Sequence, residues 1–335
     1  MTAYTHKTLA AAGAAALVAA CAWPAGQSAR AEDPMTVAMT TWTGYGLLHL
    51  AEEKGFFDAN GISVEIRTMQ DKSATAAAMA TGRIQGWATT VDTFIFYDVA
   101  DIGARQVLAV DFSEGGEGII ADSETDSVAD LKGKSVAAQE GSSTYFFMLN
   151  VLADHGLSLA DIDHKDMKAG DAGAAFMAGR VDAAATWDPW LSKSEARDDA
   201  GVLVDTQDRP GLIVDTVAFS EEVLEKRGDD VEGFIAGYFD AYDYWKANPA
   251  DANKIMAESL GVEMESFESS LSGLTFVSRA QNKAYFGLTE NNTPTIQDTI
   301  ATGADLYHDI GIIDSKPAAD SIADASFLER YFAGE

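Results

Sequence analysis

The sequence predicts an α/β protein of two lobes, each a mainly parallel sheet flanked by helices, facing one another across a cleft. Two observations predict it. Ala77 to Thr89 reads AAMATGRIQGWAT and, 97 residues later, Ala174 to Thr186 reads AAFMAGRVDAAAT, with six identities in thirteen positions. Each copy joins an Ala-rich helix, a glycine suited to the left-handed cap, and a short apolar strand ending in Ala-Thr. Upstream the parallel continues: strand Val37 to Thr41 and helix Leu47 to Lys54 closed by Gly55 match strand Val136 to Gln139 and helix Thr144 to His155 closed by Gly156. Strand, helix, strand, helix, strand is the pattern of open parallel sheets, whose ligands sit beyond the carboxyl ends of the strands.

Met1 to Ala31 is set apart from the fold. Lys7, the apolar run Leu9 to Ala22 and the small-x-small triplet Ala29-Arg30-Ala31 before Glu32 predict an export signal cleaved after Ala31. That run is too short to span a bilayer, and no later segment has the uninterrupted apolar length of a span. Val18-Ala19-Ala20-Cys21 also resembles a lipid-attachment box; cleavage after Ala31 is preferred because Val18 is an unusual residue in such a box. Cys21 is the one cysteine of the chain, so the segment after Ala31 has no disulfide, cysteine nucleophile or thiolate metal site. The 53 acidic residues against 23 basic ones, a formal net charge of −30, exclude a nucleic-acid partner, since phosphate binding requires local positive charge. Scattered acidity otherwise speaks to solubility rather than to a particular site. The expectation is an exported, periplasmic monomer.

At 47% hydrophobic residues the chain can bury a large core, and its 335 residues exceed what one domain usually holds. The first unit runs from Met35 to the strand Val107 to Phe112. Ser113-Glu114-Gly115-Gly116-Glu117 then reads as a crossover. The second unit begins at Gly118 to Ala121, continues to Val202 to Asp205, and ends at Gln207-Asp208-Arg209-Pro210-Gly211, before strand Leu212 to Phe219. Residues 32–114 and 212–335 therefore form lobe 1 and residues 115–211 lobe 2. From Ser220 onward the reading is helical. Val231, Phe234, Ile235, Tyr238, Tyr242 and Trp245 recur at helical spacing as one apolar, core-facing stripe. Thr295 to Ile310 is a further helix closed by Gly311, and these C-terminal helices are assigned to lobe 1.

The two first turns and the two third-strand ends supply the candidate site. Trp42, Thr43 and Tyr45 follow the first strand, where aromatics wall a ligand and the Tyr45 hydroxyl orients it. Ser142, Ser143 and Thr144 open the equivalent helix of the second copy, where unpaired backbone N–H groups and hydroxyls can hold an anion or, equally, simply cap the helix. Thr89, Thr90 and Asp92 end one strand, and Trp187 and Asp188 the other, with helix initiation as the alternative role of both aspartates. Glu114 and Asp215 lie at the crossovers. Apart from Arg209, no Lys or Arg falls in the segments assigned to the cleft rim. A ligand bearing an amine fits such a site, because a buried ammonium needs a carboxylate partner. An aminosulfonate would place its anionic end on Ser142 to Thr144 and its amine on an aspartate; a neutral nitrogen-rich heterocycle is also compatible. His49, His155, His164 and His308 are scattered, and no nucleophile-elbow, zinc-protease or phosphate-loop motif occurs. No catalytic residue, metal or cofactor is expected.

Several ordered segments carry a family resemblance. They are Gly44-Tyr45, Ala51-Glu52-Glu53-Lys54-Gly55-Phe56-Phe57 with Gly61-Ile62, Met79 to Ile84, Leu131-Lys132-Gly133-Lys134, Gly141 to Thr144, Thr186 to Lys193, and Pro210 to Asp215. Together they resemble exported solute-binding proteins of the nitrate, sulfonate and taurine type that serve ATP-driven importers, and pyrimidine-precursor-binding relatives. The resemblance implies a two-lobed periplasmic binding protein of type II, a hinged trap. It further implies a small polar solute as ligand, and a permease with its ATPase in the inner membrane as partners. Likeness to sulfonate binders points to Gly141 to Thr144. Ligand-presenting sensory proteins and pyrimidine-precursor synthases share this fold; the synthases use a histidine and a cysteine-rich iron-binding tract that the segment after Ala31 lacks.

Overall fold

The computed structural model describes residues 34–97, 103–290 and 292–334, together with 1–2 and 101. The apolar run of the expected export signal, its cleavage site and Cys21 lie outside the described residues.

Eleven strands follow in chain order among the described residues: β1 Met35–Met39, β2 Val64–Thr68, β3 Gly86–Thr90, β4 Arg105–Ser113, β5 Glu117–Asp122, β6 Ser135–Ala138, β7 Asp163–Asp166, β8 Ala183–Trp187, β9 Ala200–Asp205, β10 Val214–Phe219 and β11 Leu274–Phe276. They form a six-stranded sheet, β11-β4-β10-β3-β1-β2, and a five-stranded sheet, β7-β6-β8-β5-β9. In each, three strands pair in parallel, β2-β1-β3 and β7-β6-β8; β10 and the edge strand β11 run against them in the first sheet, and β5 in the second. Helices flank both sheets, as the alternating pattern requires.

The sequence repeat is a structural repeat down to its register. Val37 pairs with Gly86 and Ala38 with Trp87 in the first sheet; Val136 pairs with Ala183 and Ala137 with Ala184 in the second. Helices Lys72–Ala80 and Ala169–Met177 precede these strands and end alike. Gly82 and Gly179 take φ of 68° and 66°, and the next residues close the cap, Arg83 N–H to Ala78 O at 2.9 Å and Arg180 N–H to Ala175 O at 2.9 Å. A Cβ built at either glycine has nothing within 4 Å, so the cost of a side chain there is backbone strain alone. Gly82→Ala and Gly179→Ala are each expected to lower stability by about 1 kcal/mol in urea unfolding; a loss within error at both positions would contradict this origin of the repeat.

The chain passes between the sheets twice, through Glu114-Gly115-Gly116 and through residues 206–213. The two passages are tied together: Thr206 Oγ1 accepts from Gly115 N–H at 2.7 Å and pairs with Ser113 Oγ at 2.9 Å. Gly273 O accepts from both Glu114 N–H and Gly116 N–H at 2.8 Å. The segment after Ser220 is helical apart from β11, a strand that the all-helical reading misses. Its three residues, set off by Gly273, hydrogen-bond to the edge of β4 in the register Thr275 to Phe112. Helix Gly228–Ala247 buries Val231, Phe234, Ile235 and Tyr238 of the apolar stripe, and the Tyr238 hydroxyl donates to Val110 O at 2.8 Å. It packs on helices Gly46–Glu53 and Phe56–Ala59, and helix Ile296–Asp309 packs on Val91–Phe96, all beside the first sheet.

Strand alternation divides the second sheet between two cores. Val136, Ala183 and Ala185 join the main core with Phe146 and Val151, whereas Ala137, Ala184 and Ile120 face Ala172, Ala175 and Phe176 of helix Ala169–Met177. Contacts also cross between the lobes. Phe96 meets Tyr145 edge-on at 6.4 Å, Tyr307 meets Phe146 at 5.4 Å, and Lys168 Nζ lies 3.6 Å from Asp71 Oδ2.

Candidate functional site

Strand register assembles the centre of the site. Asp215 on β10 lies opposite Thr90 on β3 and opposite Asp111 on β4, so the three residues form a row across the carboxyl end of the first sheet. Residues directly opposite in a ladder share a face. The turn Thr43–Tyr45 after β1 covers that row. Trp42 Nε1 donates to Asp111 Oδ1 at 3.1 Å and the Tyr45 hydroxyl donates to Asp215 Oδ1. Gly44 lets the turn approach so closely: a Cβ there would lie 1.9 Å from Asp111 Oδ2.

Four further groups complete the cluster. Asp92, in the helix that follows β3, and Lys72, which opens the helix after β2, come from the first lobe. Lys72 Nζ donates to Thr89 Oγ1 at 3.3 Å. Glu117, at the start of β5, and Ser143 come from the second lobe, and Ser143 Oγ donates to Glu117 Oε1 at 2.6 Å. Trp42, Tyr45, Lys72, Asp92, Asp111, Glu117, Ser143 and Asp215 are all buried. Three carboxylate oxygens, Asp92 Oδ1, Asp111 Oδ2 and Glu117 Oε2, are buried with no donor facing them.

Four carboxyl groups and one ammonium shut away from water cannot all carry their usual charges. Burial, with Asp215 as a like charge, holds the Glu117 carboxyl protonated up to about 8. Burial likewise pushes Asp92 up to about 7, although its bond with Thr90 and the Lys72 charge oppose this. Burial and the Asp215 charge hold the Asp111 carboxyl well above the usual carboxylate range; burial also raises Asp215, to about 6, against the Tyr45 hydroxyl that donates to it and the Lys72 charge. Burial lowers the Lys72 ammonium, and Asp215, Asp92 and Glu117 hold it up.

Other expected site residues are placed differently. Ser142 is a helix cap: its Oγ accepts from Tyr145 N–H at 3.3 Å, donates to Gln139 O at 2.7 Å, and pairs with Thr144 Oγ1 at 2.9 Å. Asp188 Oδ1 accepts from Ser192 N–H at 3.0 Å and from Ser192 Oγ at 2.8 Å, the helix-initiating role. Trp187, opposite Glu117 in the ladder, lines with Asp188, Thr43, Lys168, Asp171 and Ser270 a cavity of about 260 Å³ between the lobes. Glu114 does not join the cluster. It accepts from Thr275 Oγ1 at 2.8 Å and lines a separate cavity of about 440 Å³ beside both crossovers, with Phe112, Pro210, Tyr285 and Pro294.

Lys72, Asp111 and Glu117 escape the sequence reading, and the expectation that the cleft rim holds no Lys or Arg but Arg209 is corrected by Lys72 and by Lys168, which lines the cavity between the lobes. Signals for two of them exist. An aspartate inside the buried run Val107 to Phe112 needs a partner or a ligand. A lysine in the first turn of a helix opposes the helix dipole unless negative charge lies nearby. Among the described residues no group of three or more His, Cys, Asp or Glu is arranged to hold a metal ion, and no helix is long and apolar enough to cross a membrane.

Known proteins share the fold. An aliphatic sulfonates-binding protein, so named, of Escherichia coli (strain K12) is 33% identical over 138 residues, which cover 40% of this chain and only 42% of that relative's length. The periplasmic aliphatic sulphonate binding protein SsuA from Escherichia coli superposes with a TM-score of 0.70 at 22% identity, over 90% of this chain and 99% of that one. The desulfurization enzyme DSZB has the same fold, with a TM-score of 0.64 at 16% identity over 90% of this chain and 99% of that one. The two-lobed fold is thus that of periplasmic binding proteins, and residues 42–252, which include both crossovers and the whole buried cluster, match the family described as NMT1/THI5 like; the chain belongs to that family.

Proposed function

We propose that this chain is the extracytoplasmic solute-binding component of an ABC importer, working in the periplasm, and that its ligand is a small polar organic solute bearing an amine. One observation carries the reading: both lobes contribute to a single buried cluster in which three carboxylate oxygens face no donor. A cationic group entering between open lobes supplies those donors and draws the second lobe, through Glu117 and Ser143, onto the first. Closure needs contacts that are stronger in the closed form, and Glu117 is such a contact because it sits on the opposite lobe from Asp92, Asp111 and Asp215. The closed form then docks on the permease and returns the solute unchanged. This separates it from an enzyme of the same fold. A thermal-shift screen of amines, aminosulfonates, sulfonates, nitrate, pyrimidines and vitamins should raise the unfolding midpoint with amine-bearing solutes. Recovery of a chemically altered solute, or no shift with any amine, would contradict the reading.

The cluster also sets a pH dependence. A carboxyl whose folded pKa is raised contributes stability below its unfolded pKa and loses it as pH rises through the folded value. For Asp92 and Glu117 those values are about 7 and about 8. The solute-free protein should therefore lose thermal stability between about pH 6.5 and 8.5, and a bound amine should restore it. Burial lowers the His49 pKa to about 4; its contribution is complete above the unfolded value and falls away only at lower pH, outside this window. A midpoint that is flat across the window, and identical in Asp92→Asn, would contradict the assignment.

A further inference from the structure

Building on the amine reading, we infer that the solute is an organic cation with no anionic group of its own, and that sulfonates, aminosulfonates included, are excluded from the closed site. The donors that an anion would use are already engaged. Ser143, the one hydroxyl of the second-lobe helix start that faces the cluster, donates to Glu117 at 2.6 Å. Ser142 and Thr144 are bonded to each other, and Ser142 is further bonded to Gln139 and Tyr145. A sulfonate set on Ser143 would take the place of Glu117 and leave that buried carboxyl without its one hydrogen bond.

The cations of the cleft lie among acidic groups. Lys72 donates to Thr89 at 3.3 Å, and the charges of Asp215, Asp92 and Glu117 hold its ammonium up. Lys168, in the cavity reached past Thr43 and Trp187, lies 3.6 Å from Asp71 and shares that cavity with Asp171 and Asp188. The buried oxygens without donors belong to three carboxylates from both lobes, Asp92 and Asp111 on one side and Glu117 on the other. They demand hydrogen-bond donors and positive charge at more than one point. An ammonium or amidinium presents several N–H donors at once, and the carboxylates are not grouped as a metal ion requires. Trp42 and Tyr45 bring aromatic rings to the same cluster through their bonds to Asp111 and Asp215, and aromatic faces attract organic cations.

The test is calorimetric titration of the intact protein with four probes on one three-carbon chain: propylamine, diaminopropane, homotaurine and propanesulfonate. The amines should bind, homotaurine should bind at least about 100-fold more weakly than the better amine, and propanesulfonate should give no heat. Homotaurine equal to or tighter than both amines would overturn the inference and leave the carrier reading intact. Binding of propanesulfonate alone, or of no probe, would overturn both. In Glu117→Gln the preference for amine over homotaurine should shrink by about tenfold or more. A preference unchanged in a folded variant would show that Glu117 is not the excluding group and would overturn the inference.

Discussion

Asp215→Asn is expected to weaken binding of an amine-bearing solute by on the order of 100-fold or more, while raising the stability of the solute-free protein. The two effects share one cause. Asp215 is the centre of the cluster: Tyr45 donates to it, its strand register places Asp111 and Thr90 beside it, and it is the leading like charge on Glu117. Removing one partner of a buried charge pair costs on the order of 2 to 5 kcal/mol of binding. Without a solute, the same substitution removes the negative charge that holds Glu117, Asp92 and Asp111 up. The asparagine oxygen still accepts from Tyr45, so the packing of the turn survives. Calorimetric titration and thermal unfolding on the same sample separate the outcomes. A fall in both affinity and stability would mean that Asp215 is a structural residue, and unchanged affinity would remove it from the site.

Gly44→Ala should be the most damaging added methyl among the described glycines. The added carbon would lie 1.9 Å from Asp111 Oδ2 and 2.4 Å from Trp42 Nε1, so it breaks the bond between those two side chains and displaces the carboxyl. Both lie in the first lobe, so the damage precedes any closure. Overpacking of this kind costs about 1 to 3 kcal/mol of stability, and loss of the Asp111 position should abolish solute binding at concentrations that saturate the parent. Asp111→Ala opens the space that the methyl needs. In the double variant Gly44→Ala/Asp111→Ala the methyl should cost far less than it does alone, a coupling of about 1 kcal/mol or more. Additive losses would show that the glycine is needed for backbone reasons rather than for close approach.

The fold was legible because the chain writes its module twice. Neither copy of the helix-glycine-strand pattern is decisive alone, but the shared spacing survives as shared register, Val37 on Gly86 and Val136 on Ala183. The crossovers were legible from Gly115-Gly116 and Pro210-Gly211, which interrupt apolar strands. β11 was not, because three residues carry too little alternation to be told from a helix end. The candidate site was half legible. Trp42, Tyr45, Thr90, Asp92 and Asp215 follow strand ends, and parallel sheets expose strand ends to ligands. Ser142 and Asp188 occupy equivalent positions yet serve helix ends, because side chains that bind ligands and side chains that cap helices are of one chemical kind. Lys72, Asp111 and Glu117 become site residues only through the contact between lobes and between non-adjacent strands, which local sequence does not encode.

In the proposed mechanism, buried, protonated carboxyls from both lobes give up protons to a solute's positive charge. Titration of the bound amine at pH 7 in two buffers of different ionisation enthalpy counts those protons directly. With Asp92 held up to about 7 and Glu117 to about 8, binding should release about one proton per solute, and less than half of that in Glu117→Gln. Zero release, or uptake, in the parent protein would contradict the account.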